Sequence, residues 1–325
     1  MQSLEAPHPP TTAPTALTSS FRELVGLLVG PRFGIRVAPL LRDLGTDPGF
    51  FGPDSATWRV AREPLFILCA GRALLMQLAH PLIAQAVADH SDLERDPLGR
   101  LVRTGRWLIA VMFGTRAEAI AAIREVNVLH RRVRGTLAAD NASRGFDADT
   151  PYVASDPALA RWVHATIVQS MLVMHDTFVG GLTMADRDAL VREWNAVALL
   201  MGVSAELLWP GAGALDSYIA AQVQRLDRAP PASRAAARIV LNPPLPTEAA
   251  RPAFSAAAFL TIGMLPAPFR QCFGVRWTRA NRGWYAGVTR SLRSLHRRVP
   301  RRYRSSGIYV LAMRRCAGRF ASEQS

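Results

Sequence analysis

HPLIAQAVADHSDLERDPLGRLVRTGRWLIAVMFGTRAEAIAAIREVNVLH, from His80 to His130, is the stretch on which the fold turns. Pro81 restarts a helix just after His80. Asp96-Pro97 is a helix start, with Asp96 as the cap and proline at the first helical position. The helix runs through Arg100, Arg103, Thr104, Trp107 and Val111 to Phe113, and Gly114 stops it. Thr115, with Glu118 three residues on, opens the next helix as a capping box. Its stripe reads Ile120, Ile123, Val126, Val133 and Leu137, and His130 falls within it. In the first of these helices, Arg100 to Val111 step by three and four along one face, while Leu101, Leu108 and Met112 lie on another. The spacing predicts a helix apolar around much of its circumference, carrying Arg100, Arg103 and Thr104 as buried polar groups in need of partners.

Working outward, residues 21–55 read as one short helix and a loop. LFILCAGRALLMQLAH, before Pro81, reads as a buried helix: the apolar run from Pro64 to Ala79 carries Arg72 and falls short of the roughly 20 residues that span a bilayer. Downstream, Asp156-Pro157 opens a helix with Ala160, His164, Ile167, Met171 and His175 on one face, and Thr183 with Asp186 opens another. A proline-rich stretch from Ala229 to Pro252, linker-like in composition, precedes helices at Phe254–Leu265 and from Thr278 to about His296. No alternating run is long enough for a strand, and no fixed-period repeat is visible. These patterns predict one all-α domain over residues 21–320. The first 20 residues, rich in Pro, Thr, Ser and Ala, read as a disordered leader rather than a signal peptide, lacking a basic region and an apolar core.

The 325 residues are 49% hydrophobic, enough to bury a sizeable core. The net charge is +14, and every one of the 39 basic residues is arginine. With high alanine and proline, this points to a GC-rich codon bias, so part of the basicity is background and no specific nucleic-acid partner is expected. Arginines concentrate late, in HRRVPRRYR (His296–Arg304) and MRRCAGR (Met313–Arg319), where they form either a solvated surface or a peripheral contact with anionic lipid heads. Cys69, Cys272 and Cys316 have no ligand spacing and an odd count, which suits a reducing cytoplasm.

Glycine-rich phosphate loops, nucleophile elbows, H-E-x-x-H and paired Cys-x-x-Cys signatures are absent. The acidic run Asp89–Asp96, with His90 inside it, reads as a loop before a helix start. The histidines are the remaining material. A histidine on an apolar helix face is ordinarily a satisfied core residue, but neutral imidazole is also the commonest protein metal ligand, and one histidine suffices to hold haem iron. A buried arginine needs an anion, and haem propionates would supply carboxylates. Thr104 and an arginine could then donate to bound oxygen.

These residues resemble a known family: the haem b oxygenases related to the latex-clearing protein (rubber oxygenase) and to the oxygenase of mycophenolic acid biosynthesis. The resemblance runs from about Phe50 to Trp209, through QLAHPLIAQAVADHS, DPLGRLVRTGRWLIAVMFG, VNVLHRRVRG, YVASDPALARWVHATIVQS and LLMGV, and continues in LPAPFRQCFG. It implies a globin-like helical core around one haem b. The family's Arg-x-x-Lys-Thr motif falls on Arg100, Arg103 and Thr104, and its axial histidine on His130, the iron ligand that the resemblance implies. His164, in Trp162-Val163-His164, matches a further family histidine expected near the haem, with Trp107 and His80 as further cofactor contacts. Arg103 replaces a lysine able to ligate iron; a guanidinium has no lone pair to offer, so its expected role is hydrogen-bond donor beside an open or water-bound iron position. No distal carboxylate is placed, only Gln85. The implied function is oxygenation of a small apolar or lipidic substrate by molecular oxygen. A non-catalytic haem carrier or gas sensor, and a cofactor-free membrane-associated scaffold, are the alternatives.

Overall fold

The computed structural model describes residues 18–23, 47–225, 228–300 and 303–322. Residues 18–23 are helical; residues 1–17, which hold nearly all of the expected leader, and most of the helix and loop expected over 21–55, lie outside the described residues. From residue 56 the chain is a succession of helices: α1 (Ala56–Ala61), α2 (Ile67–Leu78), α3 (Pro81–His90), α4 (Pro97–Phe113) and α5 (Arg116–Arg132). A two-stranded antiparallel ladder follows, β1 (Arg134–Thr136) against β2 (Pro151–Val153), with Gly135 opposite Tyr152. Then come α6 (Pro157–Phe178), α7 (Met184–Leu200), α8 (Ala212–Val223), α9 (Pro231–Leu241), α10 (Arg251–Met264), α11 (Ala267–Cys272), α12 (Arg279–Arg298) and α13 (Gly307–Ser322).

Local chemistry sets the helix starts. Asp96 accepts from the Gly99 amide at 2.8 Å, and Asp156 from those of Ala158 and Leu159. Thr115 with Glu118, Thr183 with Asp186 and Thr278 with Asn281 form reciprocal capping boxes. Thr115→Ala is expected to lower stability by about 1 kcal/mol, read as a drop of a few degrees in thermal midpoint. Gly114 ends α4 with an extended φ, so space and not handedness excludes a side chain: a Cβ there would sit 2.3 Å from the Ala110 carbonyl oxygen.

The core forms where α2 lies against α6. Leu75 and Met76 of α2 share one core with Val168, Met171, Leu172 and Met174 of α6, all almost wholly buried, while Leu78 packs with Leu93 and Ala236 of α9. Trp58 of α1 donates from Nε1 to the Met112 carbonyl at 2.7 Å and packs edge-on against Phe113 and Tyr309, binding α1, α4 and α13 together. Arg72 lies wholly inside. Its guanidinium donates to the Met264 carbonyl at 3.0 Å, Ser170 Oγ at 2.8 Å and Gln169 Oε1 at 2.9 Å, and Gln169 in turn donates to Asp216. Burial pulls its pKa down to about 10, so the cation persists at neutral pH and pins α2 to α6 and α10 through neutral acceptors.

Three expectations change. The ladder escaped the search for strands because three-residue strands show no usable alternation. The proline-rich stretch is no linker: Pro231 starts α9, which packs on α2 and α3 and buries Ser233, Ala236 and Ala237. And α4 is not buried all round, since Arg103, Thr104 and Arg106 are exposed. Helix α2 is a core helix, as its length implied. Among the described residues no single helix is long and apolar enough to cross a membrane; α2 and α3 together reach that length only across a 105° bend at Pro81.

Candidate functional site

Helices α4 and α5 fold back on one another at Gly114-Thr115 and pack side by side. Arg100 lies 14 residues before Gly114 and His130 lies 16 after it, so the hairpin brings them to the same end. Their electrostatics agree. Burial, and then the Arg100 charge, depress the His130 pKa, which keeps the imidazole neutral and its lone pair available. His130 makes no hydrogen bond among the described residues. Arg100 is half-buried and donates to Ser91 Oγ, the residue that ends α3; no carboxylate pairs with it among the described residues. Burial, with Arg103 nearby, lowers its pKa, as expected for a cation short of an anion.

Arg103 and Thr104 lie at the rim. Arg103 Nη1 meets Asp96 Oδ2 at 3.3 Å with more than half its side chain in solvent, and Thr104 Oγ1 donates back to the Arg100 carbonyl at 3.1 Å. Trp107, two turns from Arg100 on the same face, is half-buried with its Nε1 enclosed and without a partner among the described residues. That face is closed at Val111, which is fully buried, and uncovered at Thr104.

The other candidates lie in different surroundings. His80 precedes α3, packs edge-on against Phe146 at 4.9 Å, and has an enclosed Nδ1 without a partner among the described residues; burial pushes its pKa down to about 4. His164 of α6 stacks flat on Trp209, centroids 5.5 Å apart and planes 4° apart, with Trp194 at 6.3 Å. Burial alone takes its pKa to about 3, and Nε2 is enclosed without a partner among the described residues. The structure thus brings Arg100 and His130 to one end of the hairpin, leaves Arg103 and Thr104 exposed beside them, sets Trp107 two turns from Arg100 along α4, and places His80 and His164 in aromatic packing.

A polar network beside this hairpin was not foreseen. Gln85 donates to Asp89 Oδ1 at 2.9 Å and accepts from Asn141 Nδ2 at 2.7 Å and the Ala138 amide at 3.2 Å. Tyr152 of β2 donates to Asp89 Oδ2, and burial together with that carboxylate pushes the phenol pKa up. His90 Nε2 lies 3.0 Å from the Arg134 carbonyl. The acidic run of the sequence is therefore split: Asp89, itself exposed, accepts from the buried Gln85 and Tyr152 and so joins α3 to the ladder, and Asp96 is a helix cap. A cleft of about 340 Å³ opens between this end of α3 and α9, with Ser91 on its wall. Nothing local in the sequence points from Asp89 to Tyr152, 63 residues away.

Residues 58–300 match the family of the catalytic domain of ER-bound oxygenase mpaB/B′ and rubber oxygenase. The chain belongs to that family. It is accordingly an enzyme of oxygenase type, as the resemblance implied, and its mainly helical architecture agrees. Two uncharacterised mycobacterial proteins, one from Mycobacterium bovis and one from Mycobacterium tuberculosis, are each 26% identical to this oxygenase domain over 236 residues, covering 70% of this chain and 88% of theirs. No solved structure matches it significantly. The family match spans the α4–α5 hairpin, the α6 histidines and all of α12.

Proposed function

We propose that this oxygenase uses haem b, held at the α4–α5 hairpin with His130 as the iron ligand, to oxygenate a small apolar or lipidic substrate. The observation that carries the reading is the pairing, at one end of one hairpin, of a neutral His130 with an Arg100, the first without a hydrogen bond and the second without a carboxylate among the described residues. A ferric or ferrous porphyrin with propionates answers both needs, a lone pair for the metal and anions for the guanidinium. The enclosed Trp107 Nε1 on the same face fits a further contact with such a group. Haem supplies iron-centred activation of molecular oxygen when bound.

The chain's own residues do the rest. Arg100 orients carboxylates and lowers the basicity of His130, so the imidazole stays deprotonated through neutral pH. Thr104 and Arg103, at the open rim, are placed to donate hydrogen bonds to an incoming polar atom; to do so Thr104 gives up its bond to the Arg100 carbonyl and Arg103 its contact with Asp96. The buried side of α4, closed by Val111 and Met112, keeps water from the inner half of the face.

An absorption spectrum of the purified protein, as isolated, reduced and with carbon monoxide, is the direct test. A Soret band that shifts with carbon monoxide is expected; a colourless protein that takes up no added haem would overturn the reading. Arg103→Ala should retain haem and lose roughly 100-fold in substrate-dependent oxygen uptake, the lower end of the scale for one transition-state donor; unchanged turnover would remove Arg103 from the mechanism.

A further inference from the structure

The positive charge of this protein is segregated. Residues 1–250 contain 24 arginines and 24 acidic residues, a balance of zero. Residues 251–325 contain 15 arginines and a single acid, Glu323, and so carry the whole +14. A uniform codon bias would have spread that excess; it does not explain a neutral body with a cationic C-terminal quarter.

Part of that arginine content is used internally. Arg293 donates to the Asp176 carbonyl, Arg270 to the Leu265 carbonyl, Arg304 to the last carbonyls of α12, and Arg315 to the Phe113 carbonyl. The remainder includes an exposed stripe on α12. Arg279, Arg290 and Arg297 are separated by 11 and 7 residues, which puts them on one side of the helix, and all three are exposed without an ion pair among the described residues.

Helix α12 has an equally defined apolar side. Trp284 is 73% exposed and Leu295 is 58% exposed, and with Gly283, Gly287 and Ser291 they line an open groove of about 700 Å³. These side chains are not outward for want of a fixed orientation. The opposite face of α12 is anchored by His296 Nε2 to the buried Glu63 at 2.8 Å, by Arg293 and by Tyr285 packed between Phe259 and Trp277. The anchors fix which face looks out, and that face holds a tryptophan, a leucine, small residues and arginines.

We infer that the outer face of α12 docks this enzyme onto a membrane surface carrying anionic lipid. An amphipathic helix lying in the interface plane needs an apolar edge to enter the headgroup region and cations to meet phosphate, and tryptophan favours that depth. Each arginine near an anionic surface contributes about 1 kcal/mol, and guanidinium pairs with phosphate bidentately. A second copy of the chain is the poorer occupant: it would present the same acid-free surface, arginine against arginine. A nucleic acid would use the arginines but leave Trp284 and Leu295 in water. The inference does not rest on the haem reading.

The test is co-sedimentation of the full-length protein as purified with vesicles of phosphatidylcholine alone and of phosphatidylcholine with phosphatidylglycerol. Binding to the mixed vesicles only, weakened by added salt, is expected. Arg279→Gln/Arg290→Gln/Arg297→Gln should weaken partitioning about 100-fold at low salt, and Trp284→Ser/Leu295→Ser roughly tenfold. Both variants change exposed side chains only, so unaltered circular dichroism and thermal melts confirm folding. No binding to mixed vesicles, or equal binding by both variants, overturns the inference. So does salt-sensitive binding of an oligonucleotide without vesicle binding, or a concentration-dependent dimer abolished by the Trp284/Leu295 variant.

Discussion

His130→Ala should abolish haem retention while leaving the fold intact. The substitution removes the imidazole that would hold the iron, at a position half-buried and without hydrogen bonds among the described residues, so little native structure depends on the ring. Residues that merely orient a metal ligand typically contribute 10–100-fold in affinity; loss of the ligand itself should exceed that, so the variant should be purified without a Soret band and regain none on adding haem. His164→Ala supplies the contrast. Its ring lies flat on Trp209 and beside Trp194 deep in the interior, and its removal leaves a cavity costing about 2–5 kcal/mol, yet it should leave the spectrum of whatever protein folds unchanged in position. If His164→Ala bleaches the protein and His130→Ala does not, the iron ligand is on α6 and the hairpin reading fails. Arg100→Ala falls between: partial haem loss with an unshifted band, because it removes an anion partner and not the ligand.

The comparison of histidines shows where sequence reading succeeds and stops. Helix starts were legible because each is settled within four residues: Asp96, Thr115, Asp156 and Thr183 cap with their own side chains. The two helices on either side of Gly114-Thr115 were legible as well, since the glycine stop and the threonine capping box settle both ends within a few residues. What failed was the covering of faces. A helical wheel places Arg100, Arg103 and Thr104 together but does not say which neighbour lies over them; in the structure Arg100 is tucked beside Ser91 while Arg103 and Thr104 look outward. Arg72, visible in the sequence as a charge in an apolar helix, finds its acceptors at Gln169, Ser170 and Met264, which no local pattern connects to it. The aromatic cage of His164 is likewise assembled from Trp194 and Trp209, 30 and 45 residues on.

Those buried histidines make acid the protein's weak side. Burial holds His80 near pKa 4, His164 near 3, and His175, also opposed by the charges of Arg62 and His296, near 4. In the unfolded chain each returns to about 6.5. Below that value the unfolded state binds protons that the folded state refuses, so stability falls as pH falls; above it the term vanishes. At pH 5 each of the three refuses a proton at a cost of about 2 kcal/mol, together about 6 kcal/mol, a large share of the 5–15 kcal/mol that holds a typical domain together. Asp47 and Asp186, with pKa values lowered by their hydrogen bonds, add in the same direction in more acidic solution, while Asp176, raised by burial, opposes them. The thermal midpoint should therefore be flat above about pH 7 and fall steeply from pH 6.5 to 4. His164→Phe keeps an aromatic ring against Trp209 and removes one of the three groups, so it should shed about 2 kcal/mol of that dependence at pH 5, seen as a shallower slope in urea midpoints measured across the same range. A variant as acid-sensitive as the parent would mean that His164 accepts its proton in the folded state, and that the Trp194–Trp209 cage opens to water far more readily than its packing implies.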